Sequence, residues 1–236
     1  MVCLAVMGVG RVGGEVAYLA AALGIADELV LYDTAGSLLN AQVLDLKHSG
    51  LDVGISTEKR AIREADICVF AAGFPRDPSV KTRADLLVAN LPAAKEAADV
   101  LNGFSGVLVT ITNPMDVNNY FLHKATGIDA GCCIGFGGQL DSARFALALR
   151  QRGITGFPYV LGEHGEHQVP VFSTLSKPVA VPAREEILAE LRTASMEIIR
   201  GKGGTVFGPA MHIADLVRIV AEDRRELVAC SCILSG

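Results

Sequence analysis

No run of lysines or arginines occurs anywhere in the 236 residues, and 21 basic against 26 acidic side chains leave a formal net charge of −5. A mildly acidic chain without a basic stripe has no electrostatic footprint for phosphate backbones, so no nucleic-acid partner is expected. No stretch reaches the ~20 consecutive apolar residues needed to span a bilayer. Met1 leads into an apolar run with neither a basic flank nor a cleavage site, so no membrane partner and a cytoplasmic location are expected. The six cysteines, Cys3, Cys68, Cys132, Cys133, Cys230 and Cys232, form no C-x-x-C pair. Each lies in an apolar run, and the C-x-C at Cys230 and Cys232 has no companion histidines, so reduced core thiols are expected and no metal site. There is no internal repeat and no low-complexity linker, which favours domains packed on each other over domains on a tether.

What the chain does have is apolar residues, at 50% of the sequence, enough for one large domain or two modest ones burying roughly 70% of their unfolded surface. Short, nearly continuous apolar runs at 2–7, 28–33, 66–72, 106–112 and 132–136 read as strands covered on both faces. Helical patterns fit between them at 12–23, 37–48, 84–101 and 115–125, with Pro92 a potential break in the third. This βαβ rhythm predicts an α/β fold with a doubly wound parallel sheet over residues 1–138. From 139 to 236 the pattern changes to a helix at 141–150, strands at 159–162 and 169–172, and helices at 185–200 and 209–221, which predicts a second, mixed α+β domain.

Gly8-Val9-Gly10-Arg11-Val12-Gly13 follows the first predicted strand and opens the first helix, and Asp33 ends the second strand, 20 residues beyond Gly13. The motif is weak alone, but strand, glycines, helix and acid together fit a dinucleotide site. Gly8 permits the tight turn, Gly10 the close approach of a pyrophosphate to the helix N-terminus, and Gly13 the contact of helix with strand. Asp33 would accept from the adenosine ribose hydroxyls and repel a 2′-phosphate, which favours NAD over NADP.

Polar residues gather where the later strands should end: Arg76 and Arg83, then Asn113 after Ile111, then Asp141 and Arg144, then His164. Carboxyl ends of parallel strands are where such sheets bind ligands, and these residue types suggest an acid/base pair among anion-binding groups. Seven motifs in order, G-V-G-R-V-G, L-Y-D, D-L-K-H, P-R with T-R, I-T-N-P-M-D-V, L-D-S-A-R-F and G-E-H-G-E-H-Q-V-P, span nearly the whole chain. Through them the sequence resembles the L-malate and L-lactate dehydrogenase superfamily, whose fold is a Rossmann-type domain followed by a substrate domain.

That resemblance implies roles. His164 matches the proton-transfer histidine and Asp141 its partner, a pairing suited to a side chain with near-neutral intrinsic pKa. Arg144 is similar to the arginine that forks onto the substrate C1 carboxylate, and Arg83 to the loop arginine that polarises the reacting carbonyl. Asn113 matches the asparagine that bonds substrate near the nicotinamide and also contacts the cofactor, with Pro114 inviting a cis peptide. Ile111 and Asn90 match cofactor-contacting positions, and Thr205 a hydroxyl residue lining the substrate pocket. Arg76 occupies the family's specificity position, where arginine suits a second carboxylate. The substrate expected is therefore a dicarboxylate, L-malate or oxaloacetate, with NAD, in a homodimer or homotetramer.

Two departures qualify the match. Arg76 and Arg83 stand seven residues apart, one more than in the usual pattern P-R-K-P-G-M-x-R, and Asp77 replaces a common lysine. The sequence also stops at Gly236, where family members continue, which suggests an incomplete substrate domain. Lactate or another L-2-hydroxy acid as substrate, and an NAD-binding protein without turnover, are the alternatives. Tyr120 and Lys124 match the Y-x-x-x-K of short-chain reductases, but the glycine spacing differs. Glu163 to His167 lacks the H-E-x-x-H spacing of a zinc helix.

Overall fold

Five predicted apolar runs become neighbouring parallel strands in the computed structural model, which describes residues 1–74, 82–165 and 167–234. They are β1 (Cys3–Met7), β2 (Glu28–Tyr32), β4 (Ile67–Phe70), β5 (Val107–Thr110) and β6 (Cys133–Gly135). A sixth, β3 (Gly54–Ser56), pairs with β2 and was not expected, because three residues carry no apolar run to detect. Leu4, Ala5, Val6, Leu29, Leu31, Cys68, Val69, Phe70, Leu108 and Val109 are almost wholly inaccessible. Strands without a polar face are stable only when both faces are covered, which is why they form the centre of a parallel sheet.

The order is β3-β2-β1-β4-β5-β6, with a two-residue strand β9 (Ser231–Cys232) beyond β6. The chain builds outward from β1 to β3, then crosses to β4 on β1's other side. The direction reverses between β1 and β4, so the crevice at their carboxyl ends is the topological switch point. Into it run Gly8 and the segment Ala71 to Gly73.

The connecting helices are α1 (Arg11–Ala22), α2 (Gly36–His48), α3 (Arg83–Val100) and α4 (Met115–Thr126). Helix α1 buries Val16, Ala17 and Ala20. Helix α3 starts at a reciprocal cap: the Asp85 amide donates to Thr82 Oγ1 at 3.1 Å, and the Thr82 amide to Asp85 Oδ2 at 3.0 Å. Pro92 does not end α3, since Pro92 and Val88, whose carbonyl loses its partner, both face solvent, where water accepts the role.

Contacts divide the described residues into two units. The first takes in Met1–Gly135, Val206–Glu226 and the residues from Cys232 on, and the second takes in Phe136–Thr205 and Leu227–Ser231. A domain boundary near residue 138 is proposed with two excursions: α7 (Phe207–Ala221), placed beyond it by the sequence, packs on α1 in the first unit, and the residues from Cys232 on also fall there.

The second unit holds α5 (Gly138–Gln151), β7 (Val160–Gly162) antiparallel to β8 (Gln168–Pro170), and α6 (Val181–Lys202). Its core is Phe145, Leu149, Val160, Ile187 and Leu191, with Phe172 edge-on to Phe145 at 5.2 Å. Arg152 of α5 pairs with Glu190 and Glu186 of α6. The amide of Val160 donates to Ser142 Oγ at 2.9 Å, tying β7 to α5. The cysteines are less uniform than expected, because Cys68 and Cys133 are buried while Cys232, in a two-residue strand, is exposed. Burial pushes the Cys133 thiol up to about 11, with Cys132 and Asp129 adding to it. Among the described residues no helix is long and apolar enough to cross a membrane.

Candidate active site

At the end of β1 the chain turns through Gly8 with φ of +90°. A Cβ there would lie 2.3 Å from the Ala72 backbone, so a side chain is excluded by both strain and space. Gly13 is equally constrained: its Cβ would stand 1.9 Å from the Gly8 carbonyl oxygen, so the first turn of α1 lies directly on the loop. Gly10 differs, with nothing within 4 Å of its Cβ position. That open side lies at the start of α1, where no side chain caps the helix and the first turn holds no acid. An uncapped positive helix end beside open space is suited to a pyrophosphate.

Asp33 is oriented before any ligand arrives. Its Oδ2 accepts the Val9 amide at 3.0 Å and its Oδ1 the Ala35 amide at 2.9 Å, so the glycine loop and the end of β2 share one carboxylate. Two bonds leave a carboxylate with further acceptor positions for ribose hydroxyls. The Val9 carbonyl accepts Gln42 Nε2 at 2.8 Å from α2, so both backbone polar groups of Val9 are held by side chains. The sequence reading missed Gln42, since nothing in the motif's spacing points to a side chain on the next helix.

In the second unit, α5 carries Asp141 and Arg144 one turn apart, and the turn after β7 carries His164. Asp141 is buried, and its Oδ2 lies 2.6 Å from His164 Nδ1 while its Oδ1 accepts Arg144 Nη1 at 3.0 Å. An ionised Asp141 makes Nδ1 the protonated ring nitrogen and Nε2 the ring's proton acceptor. His164 and Arg144 are each 20% accessible, buried enough to be held and open enough to be reached.

A sequence profile of the lactate/malate dehydrogenase NAD binding domain matches residues 2–135. The chain belongs to the lactate/malate dehydrogenase family. It is an oxidoreductase of that family and carries its NAD-binding domain. It is 35% identical to a malate dehydrogenase of Halobacterium salinarum, over 96% of this chain and 80% of that one. It is also 30% identical to an L-lactate dehydrogenase of Bifidobacterium animalis subsp. lactis, over 98% and 80% of the two chains. Among solved structures, malate dehydrogenase from Archaeoglobus fulgidus in complex with NADH superposes with a TM-score of 0.90 at 31% identity, covering 99% of this chain and 82% of that one.

The remaining family positions fall into place unevenly. Asn113 precedes a cis bond to Pro114, and its side chain is exposed. Ile111 is half-buried, its amide bonded to the Phe70 carbonyl at 3.0 Å. Asn90, 1% accessible, is more engaged than expected: Nδ2 donates to the Asn113 carbonyl at 2.7 Å and the Phe74 carbonyl at 3.4 Å, while Oδ1 accepts the Phe74 amide at 2.6 Å. It therefore braces the strand ends around the switch point. Thr205 is half-buried, in the segment of chain that follows α6. Arg83 is the first residue of α3, and Arg76 lies outside the described residues, as does Asp77. The Tyr120 and Lys124 pair lies along α4, with the ammonium 5.5 Å from the ring centre and Tyr120 exposed.

Proposed function

We propose that this dehydrogenase catalyses the reversible, NAD-dependent oxidation of L-malate to oxaloacetate. The observation that carries the reading is the buried Asp141 carboxylate holding His164 at 2.6 Å and Arg144 at 3.0 Å. Bound NAD supplies the hydride acceptor. Gly8, Val9, Gly10, Arg11, Val12 and Gly13 would hold its pyrophosphate, Asp33 its ribose, and Ile111, Asn113 and Asn90 the region nearer the nicotinamide. His164 Nε2 takes the proton from the substrate 2-hydroxyl, and Asp141 stabilises the imidazolium that results. Arg144 grips the C1 carboxylate, Arg83 polarises the reacting oxygen, and Thr205 lines the pocket.

Malate is favoured by Arg76. Its guanidinium pairs with a distal carboxylate, whereas lactate would leave it desolvated and unpaired, a difference on the order of 2–5 kcal/mol. The second reading is lactate, supported by L-lactate dehydrogenases at 30% and 31% identity and by the longer spacing from Arg76 to Arg83. We place the reaction in the cytoplasm, consistent with six cysteines of which none forms a disulfide, and expect a homodimer or homotetramer.

The test is NADH oxidation by the purified chain with oxaloacetate and with pyruvate as separate substrates. Turnover with oxaloacetate and little with pyruvate is expected, and Arg76→Gln should shift the ratio toward pyruvate by about 30-fold or more. Preference for pyruvate in the unaltered protein would establish the lactate reading. NADH binding without turnover on either would reduce the protein to a cofactor-binding one.

A further inference from the structure

We infer that Gly137 is a positioning residue for His164, and that its missing side chain is the space in which the imidazole lies. This rests on the proton-transfer role proposed for His164. Gly137 is the residue immediately before α5, and its carbonyl accepts the Asp141 amide at 3.1 Å. The same backbone unit therefore starts the helix turn that carries Asp141 and forms a wall for the ring that Asp141 binds.

A Cβ on Gly137 would stand 2.4 Å from His164 Cγ, 2.7 Å from Nδ1 and 2.8 Å from Cβ. All are inside the 3.0 Å that real Cβ contacts essentially never breach. These atoms are the root of the side chain, so the ring cannot escape by a terminal rotation and must retreat as a body. Ordinary contact starts near 3.4 Å, which sets the retreat at about 1 Å and takes the 2.6 Å Asp141 bond beyond hydrogen-bond range. The backbone has little room to compensate, because His164 follows β7, whose last residue Gly162 is held in register with Gln168 of β8. The imidazole thus has Gly137 against its root and Asp141 at Nδ1, and the two together set where Nε2 points.

Gly138 supplies the contrast. A Cβ there would meet the backbone and Cβ of Ala229, with 2.9 Å to the carbonyl oxygen. A substitution at 138 would strain the fold, while one at 137 would strain the histidine.

The experiment compares Gly137→Ala and Gly138→Ala, each in the unaltered protein and in a His164→Ala background, by thermal unfolding, NADH binding and steady-state kinetics. Gly137→Ala should lower kcat about 100-fold, with KM for oxaloacetate changed less than about threefold and NADH affinity preserved. Its loss in Tm should shrink in the His164→Ala background, where the 2.4 and 2.7 Å ring contacts are gone and only the 2.8 Å contact with Cβ remains, whereas the loss from Gly138→Ala should be the same in both. A kcat for Gly137→Ala within about threefold of the unaltered protein, or an equal Tm loss in both backgrounds, would overturn the inference. If Gly137→Ala fails to fold alone, recovery of folding with His164→Gly, which removes Cβ as well as the ring, supports the contact and failure to recover refutes it. Absence of turnover in the unaltered protein would sink the proposed function, and the Tm comparison would still decide whether Gly137 seats the ring.

Discussion

Asp141 serves Arg144 and His164 with one carboxylate, and its value depends on its charge. Asp141→Asn keeps the shape but removes the charge, and its amide nitrogen can no longer accept from whichever partner it faces. Turnover should fall by roughly 100-fold or more, since both the ring tautomer and the imidazolium lose their support. NADH affinity should be unchanged, because the glycine loop and Asp33 belong to the other unit. Fluorescence titration with NADH beside steady-state rates checks this, and a matching loss of cofactor binding would sink it. Asp141 and His164 are 23 residues apart, yet their pairing was legible in the sequence because each sits in a distinctive motif. Gln42, Asn90 and Gly137 were less legible. Gln42 and Asn90 act on backbone groups 33 and 23 residues away, and Gly137 acts by lacking atoms, so none has a fixed sequence signature for its role.

Elements were read well in type and less well at their ends. Helix α5 was expected from 141 but begins at Gly138, since Gly137 and Gly138 look like loop residues until the Ala229 and His164 contacts are known. Helix α6 was expected from 185 but begins at Val181, with Pro182 in its first turn. Proline reads as a breaker in a pattern search but suits a first helical turn, where its missing N–H has no partner to lose. Helix α3 depends on its entry more than most, because it follows the segment that carries Arg76 and contains Pro92. Thr82→Ala removes the acceptor for the Asp85 amide, and should lower stability by about 1 kcal/mol. Thr82→Ser should retain most of it. Urea unfolding of the two variants measures the difference, and equal losses would mean that the hydroxyl does not cap the helix.

At the scale of the whole chain, the alternation of strands and helices was enough to give a doubly wound sheet, because buried parallel strands have a composition of their own. The return of α7 to the first unit was not legible, since an amphipathic helix does not state which surface it covers. A similar long-range closure binds Tyr32 at the end of β2, Lys59 in the turn Lys59–Glu64 and Glu96 on α3. Tyr32 Oη donates to Glu96 Oε1 at 2.5 Å, Lys59 Nζ donates to the same oxygen at 2.7 Å, and the ammonium lies 5.4 Å from the Tyr32 ring centre. Lys59 first, and Tyr32 after it, hold the Glu96 carboxyl below its ordinary range. A group whose folded-state pKa is depressed stabilises the fold above its unfolded value, about 4.3. That contribution is lost as pH falls through the lower folded-state value. Glu96→Gln should therefore cost stability at pH 7, and the gap between variant and unaltered protein should close as the pH is lowered past about 4. Half-exposed Lys59 makes the pair sensitive to salt, so the gap at pH 7 should also narrow at ~1 M NaCl. Denaturant midpoints across pH for both proteins decide the point, because a gap that stays constant from neutral to acid pH would mean the three groups contribute nothing through charge.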